Sequence, residues 1–358
     1  MSIDVNSQIT NINNIQPKAQ VAFRAQTAPI KDCPHDTVEI QGKKKGLSTG
    51  AKWGIGLGLT ALVGLGACLI SRGRVGTKSA KQIAEHIDFK EAKTLEEAKK
   101  FAQEKFGVQY HDINDVDVIN GLNEWITGIH NKTKTINKGA YPKYIANNPK
   151  LKTYELAGLA DGALEEGYLL SVNLRTMKNL EEFISSSFID TSVIAKNSKG
   201  KYQIVDEAYN TEFVRNLIDR INRYNPKTAT FKENSRLAMD IKGLIDGKLV
   251  NGKIKEVTYS DFFYLNHELG HLRHQEINPN YNLMKKIDEF LEVGEKPSEI
   301  AIEFASSKSI QTTAKKVSEY APESPAEFIA ETFAGLLEGK TYSDDVMALY
   351  KKYGGPVI

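Results

Sequence analysis

The run His267-Glu268-Leu269-Gly270-His271 carries the most specific chemistry in this sequence. On a helix, side chains four apart lie one above the other, so the two imidazoles can converge on one metal ion. Glu268 is one position round the helix and can reach a water without being a ligand itself. Zinc held by two histidines and a carboxylate keeps a fourth position for that water and brings its pKa towards about 7. A glutamate placed to take the proton then makes amide hydrolysis the natural reaction. Phe262, Phe263, Leu265, Leu269 and Leu272 make the surrounding helix apolar enough to be a core element. The competing reading is therefore a pair of core histidines bonded to carbonyls or carboxylates.

A third ligand must come from elsewhere. Extension to H-E-x-x-H-x-x-G-x-x-H fails, because His274 stands where glycine is required and Ile277 where the third histidine is required. His274, among basic and polar neighbours, is expected at the surface. The segment SEYAPESPAEFIAETFAGLLEG supplies carboxylates instead: Glu327 and Glu331 are four apart, in an apolar run with Phe328, Ile329, Phe333 and Leu336. One of the two can bind the metal while the other accepts the outer N–H of a ligating histidine. Ser324-Pro325-Ala326-Glu327 also reads as a capping box with proline at the first helical position, in which case Glu327 serves only its own helix start.

HELGH, followed downstream by Tyr-Ala and then AEFIAETF, resembles the catalytic domain of the anthrax lethal factor family, which includes the Pro-Pro endopeptidases. These are zinc metallopeptidases of the gluzincin type. The resemblance covers residues 262 to 275 and 318 to 338. It implies one zinc ion per chain on His267, His271 and Glu327, with Glu268 as general base. It further implies Glu331 behind a zinc-binding histidine, and Tyr320 as the hydroxyl that stabilises the oxyanion. A phenol near a metal can donate to a developing alkoxide.

The elements that must position these residues follow from periodicity and turn chemistry. Helical spacing is expected over 78–86, 94–106, 113–131, 208–223 and 258–275, with further helices through 281–292, 296–320 and 324–338. GYLLSVNL (167–174) is the clearest strand and is expected near the cleft. SVIAKNSKGKYQIV reads as a hairpin turning near Ser198, Lys199 and Gly200. Strands concentrated before residue 257 and helices after it give a helix-rich α+β fold. A single zincin-like metallopeptidase domain is expected over 78–358.

The N-terminal part has a different character. Residues 1–50 are rich in polar residues without period and are expected to be a disordered tail. Residues 53–70 (WGIGLGLTALVGLGACLI) hold no charged residue, and a helix of that length reaches about 27 Å, close to a bilayer core. Lys52, Arg72 and Arg74 flank the run, so one transmembrane helix over 51–72 and a single-pass membrane protein are expected. Gly54 and Gly58 form a small-xxx-small pair through which such helices can homo-oligomerise. The lysines and arginines are balanced about the segment, so orientation is left open.

The chain has 358 residues, 41% hydrophobic and 26% charged, which excludes a mostly disordered chain and a polytopic membrane protein. Its 47 Lys and Arg against 45 Asp and Glu give a net charge of +2 and no electrostatic case for nucleic acid. The two cysteines, Cys33 and Cys68, are expected to be free thiols and exclude a cysteine zinc cluster further on. The sequence thus points to a membrane-anchored zinc endopeptidase acting on protein or peptide substrates. The alternative is a membrane-tethered, non-catalytic binding module with a structural or vestigial metal site.

Overall fold

A computed structural model describes residues 86–133, 141–152, 156–159, 169–187 and 193–358. The expected tail, the membrane segment, both cysteines and most of the expected 78–86 helix lie outside the described residues. Among the described residues no helix is long and apolar enough to cross a membrane.

The fold is mixed α+β and rich in helix. The first half builds a small sheet. Helix α1 (Leu95–Phe106) opens with a Thr94/Glu97 capping box and closes on Gly107 in the left-handed region. Strands β1 (Gln109–His111), β2 (Tyr144–Asn147), β3 (Ala157–Leu159) and β4 (Leu169–Val172) form one sheet in the order β1-β2-β4-β3. β1, β2 and β4 run parallel, and β3 is an antiparallel edge strand on β4. Helix α2 (Val116–Thr133) buries Val118, Ile119, Leu122, Trp125, Ile126 and Ile129, the stripe that the 3.6-residue period requires.

Short helices α3 (Leu174–Lys178) and α4 (Glu181–Ser187) lead to the hairpin β5 (Ile194–Lys196)–β6 (Tyr202–Ile204). Its turn is held by the Asn197 carboxamide, which accepts from the N–H groups of Lys199 and Lys201, with Gly200 at φ +75°. Helix α5 (Glu212–Arg223), capped by Thr211, presents Val214, Leu217, Ile218 and Ile221 to the core. Helix α6 (Phe231–Ile245) falls between the expected helices 208–223 and 258–275 and does not follow from the sequence pattern. It buries Asn234, Ser235, Asp240 and Lys242 together with Phe231, Leu237 and Met239, so polar residues break its apolar period. Arg220 and Arg236 both pair with Asp240, tying α5 to α6.

After the hairpin β7 (Lys248–Val250)–β8 (Lys253–Lys255) the chain is helical: α7 (Phe263–Ile277), α8 (Ile287–Glu292), α9 (Glu299–Ser306), α10 (Lys308–Ala314), α11 (Pro325–Leu337) and α12 (Asp344–Lys352). The single helix expected over 296–320 is two. The break falls at Ser307, whose extended backbone ends α9 and whose side chain caps α10. The region expected as helix 281–292 starts as a 3₁₀ turn (Tyr281–Met284) before α8. One continuous apolar core joins the helices to the sheet.

Candidate metal centre

Two helices present the site to each other. Helix α7 has no polar face: every residue from Phe263 to Leu272 is buried. Full burial of each large side chain there contributes about 1.5–3 kcal/mol. Its few polar groups are tied down. Trp125 Nε1 of α2 donates to Asn266 Oδ1 at 2.9 Å, and Tyr264 shares a hydrogen bond of 2.9 Å with Ser235 of α6. Helix α11 starts as its sequence predicts, with Ser324 accepting from the Glu327 N–H at 3.1 Å and Pro325 in the first turn. The return half of the capping box is missing. The Glu327 carboxylate turns away from its own helix start and reaches α7.

His267, His271 and Glu327 converge in a buried cluster that could hold a metal ion. His267 Nε2 lies 3.1 Å from His271 Nε2 and 3.1 Å from Glu327 Oε2, and His271 Nε2 lies 3.3 Å from the same oxygen. A four-coordinate ion with bonds of about 2.0–2.1 Å spaces its ligands about 3.3–3.4 Å apart, so the triangle has the size of one coordination face. His267 Nδ1 lies 3.0 Å from Glu331 Oε1, so a proton held on Nδ1 would face the carboxylate and leave Nε2 for the triangle. His271 Nδ1 lies 3.3 Å from the Tyr281 hydroxyl. Glu327 Oε2 is fully buried with no hydrogen bond aligned on it, although two ring nitrogens stand beside it. A cation shared by the two ring nitrogens and this oxygen fits these distances, as does a proton on one of the imidazoles.

The electrostatics agree. Asp246, Glu268, Glu327 and Glu331 are buried with Lys242 and Lys286, all six less than 8% exposed. Four carboxyl groups around two amines make this a surrounding that favours a bound cation. Without such a cation a proton takes its place. Burial disfavours the His267 imidazolium, but the Glu327 and Glu331 carboxylates outweigh it and lift the pKa to about 10. Burial pushes His271 down. Burial opposes charge on Glu327 too, yet Lys286 and the imidazoles hold it well below the usual carboxylate range. Glu331 is brought to about 2 by Lys242 and His267 against the same burial penalty.

All six sequence-predicted side chains come together. Glu268 is fully buried next to His267 along α7, and its charge is felt at Tyr320. The Tyr320 ring lies 5.9 Å from the His267 ring, centroid to centroid. Strand β4 falls within the expected 167–174 strand, and its edge partner β3 packs against α7. His274 is not a surface residue. It is fully buried, with Nε2 2.8 Å from the Tyr353 carbonyl oxygen. Positions 267, 271 and 274 share one helical face, and that geometry overrides the polarity of the flanking residues.

Four further participants carry no sequence signal: Lys242, Asp246, Tyr281 and Lys286. Lys242 Nζ, on α6, lies 2.9 Å from Asp246 and 3.8 Å from Glu331, completing a chain Asp246–Lys242–Glu331–His267. Burial would lower the Lys242 pKa, but the Asp246 and Glu331 carboxylates raise it. No protein-family model, curated protein or solved structure matches this chain.

Proposed function

We propose that this protein is a zinc-dependent endopeptidase of the gluzincin type, with the zincin-like arrangement of two facing helices. The observation that carries the reading is the triangle of His267, His271 and Glu327 with Glu331 behind His267. Among the described residues three side chains converge on it, not four. Structural zinc sites are normally closed by four protein ligands, whereas catalytic sites keep one position open. That count favours the enzyme over a binding module with a structural ion.

His267, His271 and Glu327 would hold the zinc ion, which when bound would supply Lewis acidity for a peptide carbonyl and for the attacking water. Glu268 takes the proton from that water and returns it to the leaving amine. Tyr320 donates its hydroxyl proton towards the carbonyl oxygen as negative charge develops there. Glu331 keeps the proton of His267 on Nδ1, so that Nε2 remains a ligand. Among the described residues β3 ends the sheet and packs against α7, and an edge of this kind can take an extended peptide as a further strand. The uncharged segment 53–70 supports the membrane-anchored form of the reading.

The test incubates the full-length, zinc-loaded chain with a diverse peptide library and reads the products by mass spectrometry. Cleavage that disappears with a chelator and in Glu268→Gln, while that variant keeps its zinc, is the expected result. A folded, zinc-loaded chain that cuts nothing would transfer the reading to the binding module.

A further inference from the structure

Lys286 lies just before α8, 6% exposed, with no ligating or proton-transfer role assigned above. Burying an ammonium costs several kcal/mol unless other groups compensate for it. The compensating groups here are unusual. Its shortest contact is to a neutral atom, the Tyr320 hydroxyl oxygen at 2.8 Å, with Nζ 4.4 Å from the centre of the same ring. The two carboxylates stand further off, Glu327 Oε1 at 3.8 Å and Glu323 Oε2 at 3.9 Å. A lysine present only to neutralise Glu327 would close to the roughly 2.7–2.9 Å of a charge-assisted hydrogen bond.

An ammonium has three donors and no acceptor. The phenol oxygen must therefore accept from Lys286, and the Tyr320 O–H hydrogen has to point elsewhere. A hydroxyl that accepts from a cation also becomes a stronger donor, because hydrogen bonds in a chain polarise one another. Glu327 is shaped by the same contact. Its Oε1 faces the lysine and its Oε2 faces the two imidazoles, which limits it to one ligand oxygen.

We propose that Lys286 is a positioning residue that fixes the Tyr320 hydroxyl as a hydrogen-bond donor towards the substrate carbonyl oxygen. The proposal rests on the peptidase reading, but its core, that Lys286 sets the hydroxyl, can be measured without turnover. The effect of Lys286 on turnover then runs through Tyr320. Removing its ammonium weakens stabilisation of the transition state in zinc-loaded protein and leaves substrate affinity alone.

The experiment uses the full-length chain and the variants Lys286→Met, Lys286→Arg, Tyr320→Phe and the Lys286→Met/Tyr320→Phe pair. Lys286→Met is expected to lower kcat by about 10- to 100-fold with KM within about twofold, less than the roughly 10²–10³ for losing an oxyanion donor outright. In the double variant the loss should equal that of Tyr320→Phe alone, and Lys286→Arg should recover most of the activity. Losses that multiply, or a Lys286→Met effect confined to KM or to bound zinc, overturn the proposal. In parallel, 3-fluorotyrosine at position 320 is read by fluorine NMR in the full-length chain. Its resonance should move in Lys286→Met and move less in Lys286→Arg. An unmoved resonance overturns the proposal whether or not any peptide is cut, and a moved resonance in a chain that cuts nothing counts against the peptidase reading alone.

Discussion

Gly270, the second variable residue of the motif, sets how closely the two ligand helices approach. A Cβ placed there would stand 2.9 Å from Ala330 Cα, 3.1 Å from Ala330 O and 3.2 Å from Phe333 Cβ, all on α11. Two of these atoms are backbone, so no rotamer change relieves them. Reaching ordinary contact requires α7 and α11 to part by about 0.5 Å or more. The distances of 3.1 and 3.3 Å between the imidazoles and Glu327 would grow with that separation, beyond one coordination face. Gly270→Ala gains about 1 kcal/mol of helix propensity and costs about 1–3 kcal/mol in overpacking. Stability should therefore change by no more than about 2 kcal/mol. Zinc affinity should drop about 10- to 100-fold, the range seen when the support of a ligand is lost. Competition with a chromophoric chelator measures the affinity, and thermal melting of the metal-free chain measures the stability. A folded Gly270→Ala chain with zinc affinity within twofold of the parent would refute the idea that this contact sets the site.

Metal affinity should follow pH, because the cation displaces a proton from His267, whose pKa stands near 10 in the metal-free protein. The unbound site keeps that proton below this value, so affinity should rise about tenfold per unit from pH 6.5 to 8.5 and level off only near 10. Chelator competition at three pH values reads the slope, and a flat response contradicts the assignment. Burial lowers His274 from 6.5 to about 4. The unfolded chain then binds this proton first, so stability is full above 6.5 and falls as pH drops through 4, by about 3 kcal/mol. Urea midpoints across that window should fall less steeply for His274→Gln than for the parent, and parallel profiles would remove His274 as the cause.

What was legible in the sequence was local. The His267/His271 and Glu327/Glu331 pairs are four-residue spacings, and Ser324-Pro325 announces a helix start whatever surrounds it. The ambiguity over Glu327 was real, since the same residues specify half a capping box. Only the neighbouring helix decides where the carboxylate goes. Helix α6 was invisible because its polar residues are buried: Lys242 and Asp240 look like solvent positions until Asp246, Glu331, Arg220 and Arg236 are placed around them. Lys286 is more extreme, since a lysine beside Lys285 before an acidic helix reads as solvated. The short strands β1, β2 and β3 carry too few residues for a period, and their pairing is non-local.

Ten consecutive residues of α7 and twelve from Ser324 to Gly335 are buried without a break. A helix with a wet face can drift along that face through generations of substitution, but these two cannot. Their freedom to vary begins only beyond those blocks, at Arg273, Gln275 and Glu276 on α7. Divergent copies of this protein should therefore keep two blocks much wider than the motif they contain. Residues outside the His267, His271 and Glu327 cluster, such as Tyr264, Ala330 and Thr332, would drift as slowly as the cluster itself.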